Sequence, residues 1–175
     1  MYEEVDVCAT KSTNTFDRFV APALQAAFGA RVVYSTERHE NELAKVLDYS
    51  GIDAVLVDKH GWTLSFANRI QFGRDYGAFT IRRSRPNGTP TEFDKLKNPL
   101  SMKPACHVHS FIAEKSAVVA ITPTIELIKY IDKNPHQWRS TANGETFYFV
   151  PFTQLDGVQI FKVDDAGHVA KKITA

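Results

Sequence analysis

Cysteine is scarce in this chain, and long apolar runs are missing. Two cysteines, Cys8 and Cys106, stand among 175 residues, too few for the disulfide framework of a small secreted protein. No run approaches the ~18 apolar residues that a membrane helix needs. The acidic start MYEEVDVCATKST lacks the apolar stretch of about 7–15 residues found in signal peptides. These absences predict a soluble, intracellular protein of the cytoplasm that has no membrane partner.

Sequence motifs of several common enzyme classes are missing as well. The chain contains no GxxxxGK[ST] phosphate loop, no GxGxxG after a strand, no GxSxG and no HExxH. The sequence therefore gives no support to P-loop, dinucleotide-binding, serine-hydrolase or HExxH metalloprotease chemistry.

The composition is that of a globular protein with an uneven charge distribution. Hydrophobic residues make up 43% and charged residues 23%, which fits one domain over residues 1–175. Residues 1–66 hold ten Asp/Glu and six Lys/Arg, residues 67–103 hold eight Lys/Arg and three Asp/Glu, and residues 104–175 hold seven of each. An acidic element facing a basic one suits a metal-dependent nucleic-acid enzyme, and a solvated surface is the alternative.

Residue patterns predict an α+β fold with a mixed central sheet flanked by helices. Helical spacing indicates a helix in STNTFDRFVAPALQAAFGA, interrupted at Pro22 and ended at Gly29, and further helices in ERHENELAKVLDYSG and TIELIKYIDKN. Strands are expected in ARVVYSTE, AFTIRRS, ACHVHSFIAE, SAVVAITPT and the last part of the chain. The segment RPNGTPTEFDKLKNPLSMKP is rich in Pro, Asn and Gly, which predicts a long mobile loop.

The clearest pattern is a hairpin formed by IDAVLVD, the turn KHGW and TLSFANRIQF. Alternate residues of a strand point to opposite faces, so the second strand has one apolar and one polar face. The apolar face carries Leu64, Phe66, Ile70 and Phe72, and the other carries Ser65, Ala67, Arg69 and Gln71. The second face is expected to form a small polar platform, with Asp53 just upstream.

This order of a helix, a strand opening with Gly-Ile-Asp, a turn and a strand with polar alternation resembles the PD-(D/E)XK nuclease superfamily. The resemblance covers roughly residues 37–85. It implies a restriction-endonuclease-like core over about 12–135, followed by strands over 145–173. It also implies hydrolysis of DNA phosphodiester bonds with Mg²⁺ or Mn²⁺, held by carboxylates that lie on adjacent elements.

The resemblance assigns roles to particular residues. Asp53 matches the Asp at the start of the family's hairpin, and Glu42, Glu40 or Glu37 would be the acid on the helix, with Glu42 nearest in sequence. The family's acid-x-Lys pair is degenerate here, because Ala67 and Arg69 occupy its positions and Gln71 follows. An arginine can clamp a phosphate but is a poor proton shuttle. The expected catalytic residues are Asp53, Glu42, Arg69 and Gln71, with Asp53 and Glu42 as metal ligands.

A basic stretch is the expected nucleic-acid contact. Lys and Arg neutralise phosphates. The members of the stretch are Arg74, Arg82, Arg83, Arg85, Lys95, Lys97 and Lys103. DNA is the first expected partner and RNA the second, and cutting both strands of a duplex would require a homodimer. A solubilising strand edge is the alternative.

Two other classes of function stay open from the sequence. One is a catalytically inactive descendant of the nuclease fold that binds nucleic acid or a protein partner. The other is a metalloenzyme in which His107 and His109, on one face of a strand, hold an ion such as Zn²⁺. No third ligand is identifiable for that ion, and Cys106 points to the opposite face.

Overall fold

The computed structural model describes residues 14–29, 31–36, 39 and 41–174. Within these residues a π-helical turn, Phe16–Val20, leads into the first of four α-helices: α1 Ala21–Phe28, α2 Glu42–Tyr49, α3 Glu92–Lys97 and α4 Thr124–Lys133. The strands are β1 Arg31–Ser35, β2 Ala54–Val57, β3 Thr63–Phe72, β4 Ala78–Ser84, β5 Cys106–Ile112, β6 Ser116–Pro123, β7 Trp138–Ser140, β8 Thr146–Pro151, β9 Gln159–Asp164 and β10 Val169–Thr174.

The fold is α+β, as predicted, and its central sheet is curled and mixed. Seven strands form it in the order β1-β2-β3-β5-β6-β9-β10, and β4, β8 and β7 form a separate three-stranded sheet. Strands β3 and β5 pair in parallel, whereas the other neighbours in both sheets pair antiparallel. The chain between β3 and β5 must therefore cross over, and that crossover carries β4 and α3.

The predicted hairpin and its alternation are confirmed. Ala54 pairs with Phe66 and Val57 with Thr63, and Asp58 accepts the turn amides of His60 and Trp62, both at 2.8 Å. Phe66 is fully buried in a core cluster between the N-terminal helical segment and one face of the central sheet. The apolar face is not uniform, because Phe72 at the strand end is 49% exposed.

The other face of β3 is covered rather than open. Ala67 pairs with His107 and Arg69 with His109 across the parallel ladder, and these side chains share a small cavity with Phe79 of β4. A second core cluster of Phe79, Ile81, Leu96, Phe111, Leu127, Tyr148 and Val150 joins the three-stranded sheet to α3, α4 and this face. The expected polar platform is therefore a partly buried layer beneath β4.

The helices confirm some sequence predictions and correct others. Gly29 ends α1 with a φ of 62°, so the predicted end is confirmed. Pro22 lies in the first turn of α1, where the helix changes from π to α, but the backbone of Val20 and Ala21 stays helical, so the chain is not broken there. The loop predicted from Arg85 to Pro104 is wrong in part, because α3 lies within it. Its Thr91 and Asp94 cap each other reciprocally, and such a capping box satisfies otherwise unpaired amides at the start of a helix.

Replacing Phe66 with alanine should lower the free energy of unfolding by about 3–5 kcal/mol, because truncating a buried phenylalanine leaves a cavity. Phe72→Ala is the matched control on the same strand and the same side. It should cost less than about 1.5 kcal/mol, since much of that ring already contacts water. Urea denaturation measures both values, and equal losses would contradict the assignment of the core.

Candidate functional site

An open groove of about 1040 Å³ lies beside β3. Its walls come from the end of α2, from Asp53 and Asn68, and from α3 with the loops on either side of it. The groove forms here because β2 begins at the Ala54–Phe66 pair, while β3 continues to Phe72. Within the described residues, that edge of β3 has no strand partner beyond Phe66.

Asp53 is fixed at this edge by both its backbone and its side chain. Its amide donates to the Phe66 carbonyl at 2.8 Å, and its own carbonyl accepts the Thr36 amide at 3.0 Å. Its Oδ2 accepts the Asn68 amide at 2.5 Å. The carboxylate therefore takes the place of the next residue of β2 and lines the groove.

Glu92 is one of four acids that line the groove, with Asp48, Asp53 and Asp94, and it is not among the residues predicted from the sequence. It is the first residue of α3, and both its carboxylate oxygens lie 3.3 Å from Nη1 of Arg69 on β3. Its Oε2 also accepts the backbone amide of Arg82 on β4 at 2.7 Å. Glu92 lines both the groove and the small cavity beneath β4, so it separates the two spaces. The capping pattern Thr91-x-x-Asp94 is the signal that could have drawn attention to it.

Two arginines predicted to meet phosphate form ion pairs inside the protein. The guanidinium carbons of Arg69 and Arg82 lie 5.0 Å and 5.4 Å from the centre of the Phe147 ring. Arg82 Nε lies 3.2 Å from Glu145 Oε1, as an ion pair without hydrogen-bond alignment. Burial lowers the pKa of Arg69, and the nearby Glu92 carboxylate opposes that shift. Glu92 and Glu145 thus balance both cations locally.

Of the other predicted basic contacts, only Arg85 and Lys95 line the groove. Lys95 Nζ donates to the Asp48 carbonyl at 2.7 Å, and Arg85 Nη1 to the Pro90 carbonyl at 3.4 Å. The rest lie elsewhere: Arg83 over the Trp138 ring at 4.8 Å, Lys97 paired with Asp132, and Arg74 and Lys103 exposed.

Glu42 and Gln71 do not join Asp53 in the groove. Glu42 begins α2, is 88% exposed and pairs with Lys45 at 2.8 Å. The end of α2 that lines the groove is Tyr49, which lies about 10 Å from Glu42 along the helix axis at 1.5 Å per residue. Gln71 is half-buried opposite Phe111. Glu37 and Glu40, the other candidates for the helix acid, lie outside the described residues.

His107 and His109 are deeply buried beside the small cavity, whose volume is about 30 Å³. Burial lowers the pKa of His107 to about 4, and burial with the nearby Arg69 charge lowers the pKa of His109 to about 3. Both imidazoles are therefore neutral near pH 7. The Glu92 carboxylate also lines that cavity, but it binds Arg69 and the Arg82 amide. Within the described residues, no group of three or more His, Cys, Asp or Glu side chains is placed to hold a metal ion.

Comparison with protein-family models, with curated proteins and with solved structures found no match for the chain. Among the helices of the described residues, none has both the length and the apolar character needed to cross a membrane.

Glu92→Ala should lower the free energy of unfolding by about 1–3 kcal/mol, because it leaves the half-buried Arg69 and the Arg82 amide without their acceptor. Glu42→Ala removes an equivalent acid from an exposed helical pair and should cost no more than about 0.5 kcal/mol. Thermal and urea unfolding of the two variants test this difference. If Glu92→Ala left the free energy of unfolding unchanged, the contacts of Glu92 with Arg69 and with the Arg82 amide would add nothing to stability.

The buried histidines should make the protein less stable in mild acid. Below the ordinary histidine pKa of 6.5, the unfolded chain binds protons that the folded chain does not take up until about pH 4, so the free energy of unfolding falls as pH falls. His107→Gln should reduce this dependence by up to about 1.4 kcal/mol per pH unit. Urea titrations between pH 4 and 7 measure the slope. His60→Gln, at an exposed histidine, is the control and should keep the wild-type slope.

Proposed function

We propose that this chain is a nucleic-acid-binding protein that hydrolyses phosphodiester bonds with Mg²⁺ or Mn²⁺, and that the groove beside β3 is its active site. The observation that carries the proposal is that two acids from distant segments, Asp53 and Glu92, line the same groove as Arg85 and Lys95. Carboxylates and cations side by side are what a metal-assisted reaction on a phosphodiester requires.

The donor set suits a small hard cation. Mg²⁺ is commonly held by one or two carboxylates and keeps several of its waters, and each carboxylate oxygen can accept more than one interaction. Asp53 and Glu92 would hold it across the groove. When bound, the cation supplies positive charge for the phosphate oxygens and lowers the pKa of the attacking water.

The remaining side chains bind and orient. Lys95 and Arg85 line the groove and neutralise phosphates on either side of the scissile bond. Arg69 orients the Glu92 carboxylate through the ion pair at its Nη1. In this arrangement Glu92 takes the place that the family resemblance gave to Glu42, and the restriction-endonuclease-like identity of the core is part of the same proposal.

A nuclease-fold protein that binds without cutting is the second candidate. It is favoured by the contacts of Glu92, whose carboxylate is already satisfied by Arg69 and the Arg82 amide. Ala67 at the usual acid position points the same way, because a methyl group cannot bind a cation. The two candidates share the groove and differ only in turnover.

The decisive experiment is cleavage of labelled linear, single-stranded and branched DNA, and of RNA, with Mg²⁺, with Mn²⁺ and with EDTA. Wild-type protein should cut only with a divalent cation. Asp53→Asn should lower the rate at least about a hundredfold, since a metal's charge stabilisation is worth several kcal/mol. The asparagine keeps an acceptor for the Asn68 amide and removes only the charge.

Asp58→Asn is the matched control, because it makes the same chemical change at the hairpin turn. It should cut at the wild-type rate. Salt-sensitive binding without any cleavage would leave the second candidate standing. A protein that neither binds nor cuts nucleic acid would eliminate both.

A further inference from the structure

The groove has an apolar rim, made of side chains from α2 and from the segment after α3. Val46 and Tyr49 of α2 are 53% and 80% exposed, and Leu100 and Met102, after α3, are 92% and 57% exposed. All four line the groove. Large apolar side chains that gather at the mouth of a groove mark a binding surface more often than scattered ones do.

The pattern of α2 explains why the rim is exposed. Ala44 and Leu47 face the protein and are buried, whereas Leu43, Val46 and Tyr49 recur every third residue on the outer side. Tyr49 is the last residue of the helix, next to the turn that leads to Asp53. Val46, Tyr49 and the carboxylate of Asp53 are therefore held by one short stretch of chain.

We infer that the groove takes an unpaired nucleic-acid strand, with a base stacked on Tyr49 and its neighbours against Leu100 and Met102. This inference rests on the proposed function and names its substrate class. Bases stack on exposed aromatic side chains in single-strand sites, while cations follow the backbone. Lys95 and Arg85 supply the cations here, and Lys95 is placed by its bond to the carbonyl of Asp48, the residue before Tyr49.

A duplex fits this surface less well. Its bases are stacked inside the helix, and it presents mainly phosphates and sugars to a protein, which calls for a basic surface. The groove is lined by two basic side chains, four acidic ones and the apolar rim, so it is not a basic surface of that kind, and a phosphate backbone would leave the rim exposed to water. An unpaired strand offers both chemistries at once, with phosphates for Lys95 and Arg85 and apolar base faces for the rim.

Fluorescence anisotropy with a labelled twelve-nucleotide strand, and with a duplex of the same sequence, tests the inference. Phosphorothioate linkages keep both probes intact in the presence of Mg²⁺. The single strand should bind at least about tenfold more tightly than the duplex. Tyr49→Ala should weaken its binding about 5- to 100-fold, the cost of losing one stacked base, and Tyr49→Phe should restore it.

Trp62→Ala is the matched control. Trp62 is another exposed aromatic residue, 74% exposed, at the hairpin turn and outside the groove, so its loss should leave binding unchanged. Circular dichroism of each variant checks that the fold is retained.

Several outcomes would overturn the inference. Equal or tighter binding of the duplex, with no effect of Tyr49→Ala, would overturn it and leave the proposed function standing. Sedimentation that shows a dimer, converted to a monomer by Leu100→Asp, would make the rim a contact between copies of this chain. Failure of both probes to bind, with no cleavage of any substrate, would instead remove the proposed function itself.

Discussion

The carboxylate of Glu92 is the contact on which the arrangement of the site depends. It bonds the side chain of Arg69 on the central sheet and the backbone amide of Arg82 at the free edge of the small sheet. These contacts place the start of α3 against both sheets, and α3 then provides one wall of the groove. Without that carboxylate, a half-buried guanidinium and a strand amide would lack their acceptor, which is costly away from water.

Because Glu92 already pairs with Arg69, any cation that entered the groove would compete with that guanidinium for the carboxylate. Glu92 is neutralised by Arg69 when no cation is present, and a divalent ion would have to share that carboxylate with the guanidinium. Arg82 and Glu145 form a second pair, and Arg82 also lies over the Phe147 ring, so the two arginines and the two glutamates of the cluster balance in charge. Within this cluster each acid is paired with an arginine, Glu92 with Arg69 and Glu145 with Arg82.

Local patterns predicted the parts of the fold that local physics determines. The hairpin follows from period-two alternation, and the end of α1 at Gly29 follows from backbone chemistry. The helix α3 was predicted as loop because it is only six residues long and lies among Pro, Asn and Gly residues, which are typical of loops. Glu92 was missed for another reason: it lies 39 residues after Asp53 in the sequence, and only the crossover between parallel strands brings the two acids to one groove. The separation of Glu42 from Asp53 follows from the same geometry, since an acid at the start of α2 lies a helix length away.

The parallel pairing of β3 with β5 also bears on the order in which the molecule assembles. Strand β5 can join β3 only after the chain between Phe72 and Cys106 has closed on itself, and closing a segment of that length costs entropy before any contact compensates for it. The hairpin β2–β3 needs only a short turn and can form first. The α3 wall of the groove lies within the segment between Phe72 and Cys106, so the same closure that lets β5 join β3 also sets this wall in place.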